Sequence, residues 1–239
     1  MKLYCDDGLN VLKTLPDKSI DLIVVDPPYD IHIDGGGEHL DKSFADLRKY
    51  TDITEGYDII GFGTEFIRVM KTPNIYIWCS KKQIIPHLDF YVKQRECAFD
   101  IISWHKSNAQ PLYSNKYMTD TEYCLYFHIG NCAPQNYEDA RTWYTTPLNT
   151  VERKEYGHPT IKPVPIIERF IRNSSKEGDL VLDCFMGSGT TGVACKNLNR
   201  DFIGVELSPE YFELAKTRIG TQVVDNIIQN TEVPDNRLF

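Results

Sequence analysis

Asp26, Pro27 and Tyr29 stand within four residues of one another, and their groups together suit an exocyclic amine on a planar heterocycle. The Asp26 carboxylate accepts hydrogen bonds without donating any, Pro27 offers a carbonyl on a rigid backbone, and Tyr29 offers a flat face for stacking. An amine of this kind is a poor nucleophile because its lone pair is delocalised into the ring. Two acceptors drawing on its two N–H bonds favour the pyramidal form, in which the lone pair is free. An apolar run closed by an acid and prolines is also an ordinary strand end, so a second group of residues has to corroborate this one.

That group lies late in the chain. Asp183-Cys184-Phe185-Met186-Gly187-Ser188-Gly189-Thr190-Thr191 follows the apolar Leu180–Leu182. Glycines at a strand-to-helix turn let the backbone approach a ligand closely, and the helix start supplies N–H groups to an anion such as a carboxylate. Glu206 ends the next apolar run, 17 residues beyond Gly189, near the spacing of about 20 at which a dinucleotide fold places its ribose-binding acid. Asp6 and Asp7 follow the first strand, where an acid either contacts the adenine of a cofactor or caps the next helix. Lys162, in His158-Pro159-Thr160-Ile161-Lys162-Pro163, either reaches an anionic group or belongs to a proline-rich lead into a helix.

The elements that must position these residues are legible from periodicity. Leu22–Val25 is a short strand buried on both faces, and Pro27-Pro28 forbids its continuation, so Asp26 sits at a strand end. In an open parallel sheet that end is where ligands bind. Further strands are expected at Lys2–Cys5, Asn74–Ser80, Ala98–Trp104, Glu122–Ile129, Leu180–Leu182 and Phe202–Val205. Helices are expected through Leu9–Leu15, Phe66–Met70, 81–94, Val164–Asn173 and from the glycine turn to about Leu198. The alternation predicts an α/β fold with a mostly parallel sheet. Residues 30–58, acid-rich and carrying Gly35-Gly36-Gly37, read as a mobile loop leaving the catalytic strand end, either a lid or a solvated loop.

At 239 residues the chain fits a single domain, 1–239. Its net charge of −8 argues against a nucleic-acid binder, whose footprint is usually basic. The balance is uneven: 12 Lys+Arg face 17 Asp+Glu over 1–102, 9 face 7 over 103–176, and 5 face 10 over 177–239. Phosphate contacts are therefore expected in the middle segment, where Tyr113, Tyr117, Tyr137, Trp143 and Tyr144 are interleaved with Lys106, Lys116, Arg141, Arg153 and Lys154. Exposed aromatics also mark subunit interfaces, and that alternative stays open. Seven cysteines without a Cys-x-x-Cys pair suggest neither a zinc site nor a disulfide framework. No stretch reads as a signal peptide or membrane span, which predicts a cytoplasmic protein.

Asp183-x-Phe185-x-Gly187-Ser188-Gly189-Thr190-Thr191 resembles motif I of the S-adenosylmethionine-dependent DNA methyltransferases, His158–Pro163 resembles their motif X, and Asp26–Tyr29 resembles their motif IV in its adenine-N6 form. Motif IV comes first and motifs X and I last, an order similar to that of the β-class of amino-methyltransferases. The resemblance implies a Rossmann-like methyltransferase fold, circularly permuted, with Lys2–Cys5 beside the strand that ends at Glu206. It implies that Asp183, Phe185, Gly187, Ser188, Gly189 and Thr190 line the S-adenosylmethionine site, with Glu206 on its ribose, Asp7 on its adenine and Lys162 nearby. It implies that Asp26 and Pro27 hold the target amine of a flipped-out base while Tyr29 stacks on it, without a metal or covalent intermediate. It further implies a DNA substrate and a homodimer, and the chain departs from typical members in having a short recognition insertion, 129–157. Cytosine N4 and RNA adenine are the nearest alternative targets. A NAD-dependent oxidoreductase lacks its third glycine here, and an inactive nucleic-acid-binding relative would bind no cofactor.

Overall fold

The computed structural model describes residues 1–29, 56–109, 117–130, 133–134, 136–148 and 161–220. Most of the expected loop at 30–58, parts of the expected insertion at 129–157, and Tyr113, Lys116, Arg153, Lys154 and His158–Thr160 lie outside the described residues.

Eight strands form one sheet: β1 (Lys2–Cys5), β2 (Leu22–Val25), β3 (Asn74–Cys79), β4 (Ala98–Lys106), β5 (Thr121–His128), β6 (Trp143–Thr146), β7 (Leu180–Asp183) and β8 (Asp201–Glu206). Their spatial order is β1-β8-β7-β2-β3-β5-β4-β6. β5 is antiparallel to both of its neighbours, and every other pairing is parallel. Cys5 pairs with Glu206 across β1 and β8, the adjacency implied by the circular permutation.

Among the described residues six helices cover the two faces: α1 (Gly8–Thr14), α2 (Ile59–Val69), α3 (Ile84–Leu88), α4 (Val164–Ser174), α5 (Thr190–Asn197) and α6 (Pro209–Ile219). Side chains at i and i+2 of a strand share a face, and the two resulting faces have separate cores. Leu22, Val24, Tyr76, Trp78 and Val181 pack with Phe170 of α4, Ala194 of α5 and Phe212 of α6. Ile23, Val25, Ile75, Ile77 and Leu182 pack with Leu12 of α1, Phe66 of α2 and Phe90 and Tyr91. The helix starts follow local chemistry: the carboxylates of Asp7 and Asp58 accept from the first-turn amides of α1 and α2, and Ser208 with Pro209 starts α6.

α2 begins at Ile59 rather than Phe66, α6 has no counterpart in the sequence reading, and two further elements differ from expectation. The helix expected over 81–94 is α3 followed by a π-helical stretch, Asp89–Gln94. The consecutive Phe90 and Tyr91 of this stretch are both buried. β6 has no counterpart in the sequence reading, because four residues with polar neighbours give no periodicity to detect. Its Tyr144 is a core residue, with Arg169 over its ring and Phe170 edge-on to it, and is not the surface aromatic that composition suggested.

Candidate functional site

β2 lies between β7 and β3, and its four residues are at most 1% exposed. Buried pairing on both sides fixes the strand, and the two prolines stop it, so Asp26 emerges at the carboxyl edge of the sheet. Gln83, 3% exposed, ties this turn to the neighbouring strand. Its Nε2 donates to the Pro28 carbonyl at 2.9 Å, and its Oε1 accepts from the Ser80 amide at 2.9 Å.

A buried histidine stands behind Gln83. The Gln83 carbonyl can only accept, so the His87 Nδ1 at 2.6 Å carries the proton and Nε2 accepts from the Tyr57 hydroxyl at 2.6 Å. Burial holds the imidazole neutral, with its pKa lowered to about 4. The Tyr57 ring packs edge-on against Phe62 and Phe185, so the relay runs from the Asp26 turn to the glycine turn.

Asp26 is the end of a row of alternating charges. Lys162 Nζ lies 2.5 Å from Asp26 Oδ2 and 3.2 Å from Glu122 Oε2, and Lys106 Nζ lies 2.5 Å from Glu122 Oε1. The Tyr29 hydroxyl donates to Asp26 Oδ1 at 2.9 Å and accepts from Lys162 at 3.1 Å. The Lys162 ammonium also lies 5.3 Å from the Tyr29 ring centre and 5.0 Å from that of Trp78.

These neighbours set the charges. Burial raises the Asp26 carboxyl, Lys162 pulls it back, and Glu122 adds to the rise. Burial also opposes the charge of Glu122, but Lys162 and Lys106 outweigh it and bring that carboxyl down to about 2. The Lys162 ammonium, 5% exposed, is stabilised above its ordinary value because Asp26 and Glu122 overcome its own desolvation. Tyr29 stays a phenol, since burial and then the Asp26 charge push its ionisation well up.

The glycine turn lies one strand away, at the end of β7. Asp183 Oδ1 accepts from the Phe185 amide at 3.0 Å, and Oδ2 accepts from the Thr191 hydroxyl at 2.6 Å. Burial raises this carboxyl to about 7, against the pull of those two bonds. Glu206 takes the Gly187 amide on Oε2 at 2.8 Å and the Ser208 amide on Oε1 at 2.9 Å, so it shapes the turn from the next strand. Gly189 has φ +82°, and a Cβ there would meet the Ala215 Cβ at 3.0 Å, so only glycine closes α5 onto α6.

The expected residues thus fall into two adjoining groups. Asp26, Pro27 and Tyr29 form one, and Asp183, Phe185, Gly187, Gly189 and Glu206 form the other. Asp7 is the cap of α1, its Oδ1 accepting from the Leu9 and Asn10 amides at 2.9 and 3.1 Å. The side-chain oxygens of Ser188 and Thr190 accept from Arg218 of α6 at 3.0 and 3.2 Å. Lys162, placed by the resemblance near the cofactor, contacts Asp26, because the lead into α4 crosses the end of β2.

Two expected phosphate contacts have partners within the protein. Lys106 pairs with Glu122. Arg141 pairs with Glu138 at 2.9 Å and lies 5.1 Å from the ring centres of both Tyr137 and Trp143. Glu122, Gln83, His87 and Tyr57 were not among the functional residues of the sequence reading. Glu122 reaches the carboxyl edge because β5 runs antiparallel, which brings its first residues to the level where β2 ends. Nothing in the sequence of that strand reports its direction.

Among the described residues no cluster of three or more His, Cys, Asp or Glu could hold a metal ion, and no helix is long and apolar enough to cross a membrane. Residues 20–217 match the DNA methylase family, whose label carries both N6 and N4. The Type II methyltransferase M2.LlaDCHI of Lactococcus lactis subsp. cremoris is 32% identical over 235 residues, covering 89% of this chain and 87% of that protein. M2.DpnII of Streptococcus pneumoniae, also a Type II methyltransferase, is 32% identical over 244 residues, covering 92% and 89%. The crystal structure of the M1.HpyAVI–SAM complex superposes with a TM-score of 0.61 at 28% identity, covering 91% of this chain and 98% of that one.

Proposed function

The chain belongs to the DNA methylase family, and from that premise we propose that it transfers a methyl group from S-adenosylmethionine to the N6 amine of adenine in DNA. The observation that carries the proposal is the adjacency of β2 and β7, which sets an acceptor carboxylate, Asp26, beside the glycine turn that would cradle the methyl donor.

The residues present fit that donor. Asp7, Asp26, Asp183 and Glu206 stand at or just beyond the ends of four neighbouring strands, and an edge lined by carboxylates suits a sulfonium cation. Phe185 offers a ring, and the Asp183–Gly189 turn offers backbone close to the ligand. When bound there, S-adenosylmethionine supplies an electrophilic methyl group.

The protein's part is orientation and hydrogen bonding. Asp26 and the Pro27 carbonyl accept from the target amine, and Tyr29 stacks on the base after it has left the helix stack. Gln83 holds the turn that carries them. A role in a restriction–modification system agrees with the Type II names of the relatives. Six free cysteines among the described residues agree with residence in the reducing cytoplasm. Phe99, Ile101 and Trp143 are exposed on one face of β4 and β6 and favour a homodimer, which sedimentation velocity would register as twice the monomer mass.

The test is incubation of unmethylated genomic DNA with labelled S-adenosylmethionine, followed by mass spectrometry of the nucleosides. N6-methyladenine is expected. N4-methylcytosine would overturn the choice of base while keeping the reaction, and no incorporation would overturn the proposal. Asp26→Ala is expected to lower the single-turnover rate by about a hundred- to a thousandfold, the cost of one preorganised hydrogen bond, with S-adenosylmethionine affinity within a few-fold of the wild type.

A further inference from the structure

We infer that Lys162 and Glu122 are positioning residues for Asp26: Lys162 holds its carboxylate in the orientation and charge state that a target amine needs, and Glu122 holds Lys162 in place. This rests on the reading of Asp26 as the amine acceptor, and neither Lys162 nor Glu122 has to touch the substrate.

The geometry is that of a built chain. Asp26, Lys162, Glu122 and Lys106 alternate in sign, come from four separate segments and make three consecutive contacts of 2.5, 3.2 and 2.5 Å. The ammonium of Lys162 is confined between the rings of Tyr29 and Trp78, so it has little freedom to leave Asp26. A row of charges is a poor way to stabilise a fold, because desolvation cancels most of the attraction and apolar residues of similar volume would serve as well. Here the row ends on the residue that faces the reaction. Asp26 is the most exposed of the four, at 25%, against 5%, 19% and 16% for Lys162, Glu122 and Lys106.

The arrangement leaves room for substrate. A carboxylate has about four lone-pair positions, and Tyr29 and Lys162 occupy one on each oxygen of Asp26. An amine can therefore be accepted without expelling Lys162. Apart from Lys162, the Tyr29 hydroxyl is the one neighbour that lowers the proton affinity of Asp26, through a neutral hydrogen bond; Glu122 and Asp183 are like charges, and burial keeps the thiols of Cys79 and Cys124 protonated. Lys106 acts on Asp26 only through Glu122. Lys162 is thus the cation that keeps Asp26 charged, and Glu122 is the counter-charge that keeps Lys162 in place. Without Lys162, two carboxylates face each other across the site, and Asp26, the weaker acid of the two, takes up a proton first.

Two measurements on the full chain test this: the pH dependence of single-turnover methyl transfer to unmethylated genomic DNA, and titration of the Asp26 side-chain carbon by NMR. Lys162→Met is expected to move both the acid limb of the rate and the Asp26 titration to higher pH by about 1–3 units, the usual effect of losing an adjacent opposite charge. S-adenosylmethionine affinity should stay within a few-fold. Lys162→Arg should keep the wild-type limb, and Lys162→Met combined with Glu122→Gln should move it back down. A Lys162→Met protein that folds but leaves the Asp26 titration unmoved would overturn the inference, as would one whose sole defect is weak cofactor binding. If Lys162→Met does not fold, Glu122→Gln alone decides: Asp26 must titrate lower than in the wild type. Wild-type protein that methylates no DNA, yet shows these NMR shifts, would sink the methyltransferase reading and leave the charge coupling intact.

Discussion

Two carboxylates at one edge of the sheet are very different acids, and the difference is environmental. Glu122 touches two ammonium groups and is an acid with a pKa of about 2. Asp183 touches none, is buried and hydrogen-bonded to an amide and a hydroxyl, and rises to about 7. A carboxyl whose pKa is higher folded than unfolded holds more protons in the folded state between the two values. Its contribution to stability is therefore full below about 4 and is lost as the pH rises through about 7. Asp183→Asn keeps an acceptor for the Phe185 amide and removes the titration. The variant is expected to show a flatter dependence of urea-unfolding free energy on pH between 4 and 8 than the wild type, and an equally steep fall in both proteins would refute the assignment. Glu122 acts in the opposite sense, its stabilisation being present above about 4.5 and lost on acidification toward 2.

Between elements, two joints decide the geometry. Gln83 at the start of α3 closes the Asp26 turn against β3, backed by His87 and Tyr57. Gln83→Leu leaves the Ser80 amide and the Pro28 carbonyl without this partner, at a cost of about 1–3 kcal/mol for each group that stays buried. It should lower the methyl-transfer rate about tenfold or more by letting the turn drift, while calorimetry finds S-adenosylmethionine binding retained. A wild-type rate in this variant would show that the turn is rigid without the amide. The second joint is Gly189, where the left-handed backbone and the close approach of Ala215 and Ile219 both exclude a side chain. Gly189→Ala is expected to cost about 2–4 kcal/mol in chemical denaturation, from strain and overpacking together.

Over the whole molecule, the acidic balance of −8 has to coexist with a polyanionic substrate. Of the five basic residues expected at phosphates, Lys106 pairs with Glu122, and Arg141 pairs with Glu138 between two rings. A quadruple charge-neutral variant of Lys116, Arg141, Arg153 and Lys154 is expected to bind DNA more weakly, with a salt slope shallower by up to about 3–4 and unchanged cofactor affinity. An unchanged slope would move the DNA surface elsewhere on the chain, and a broken oligomer with that slope would make the segment an interface.

The sequence by itself determined the two turns proposed as the site and most of the sheet. Asp26 after four apolar residues and before two prolines can only be a strand end, and the glycines after Asp183 can only be a tight turn into a helix, because both signals are local steric facts. Tertiary structure decided what stands against those turns. Lys162 was legible as a lysine before a helix, but its contact with Asp26 depends on where α4 crosses the sheet. Glu122 meets the site only because β5 runs antiparallel to β3, and Lys106 because β4, beyond β5, runs with β3 and ends at the same edge. Asp7, Ser188 and Thr190 carry the right groups at the right spacing, yet the fold engages their oxygens with the α1 amides and Arg218. Spacing along a chain fixes which residues share a strand or a turn, whereas charge pairing across strands depends on strand direction and helix placement, which the packing of the whole core selects.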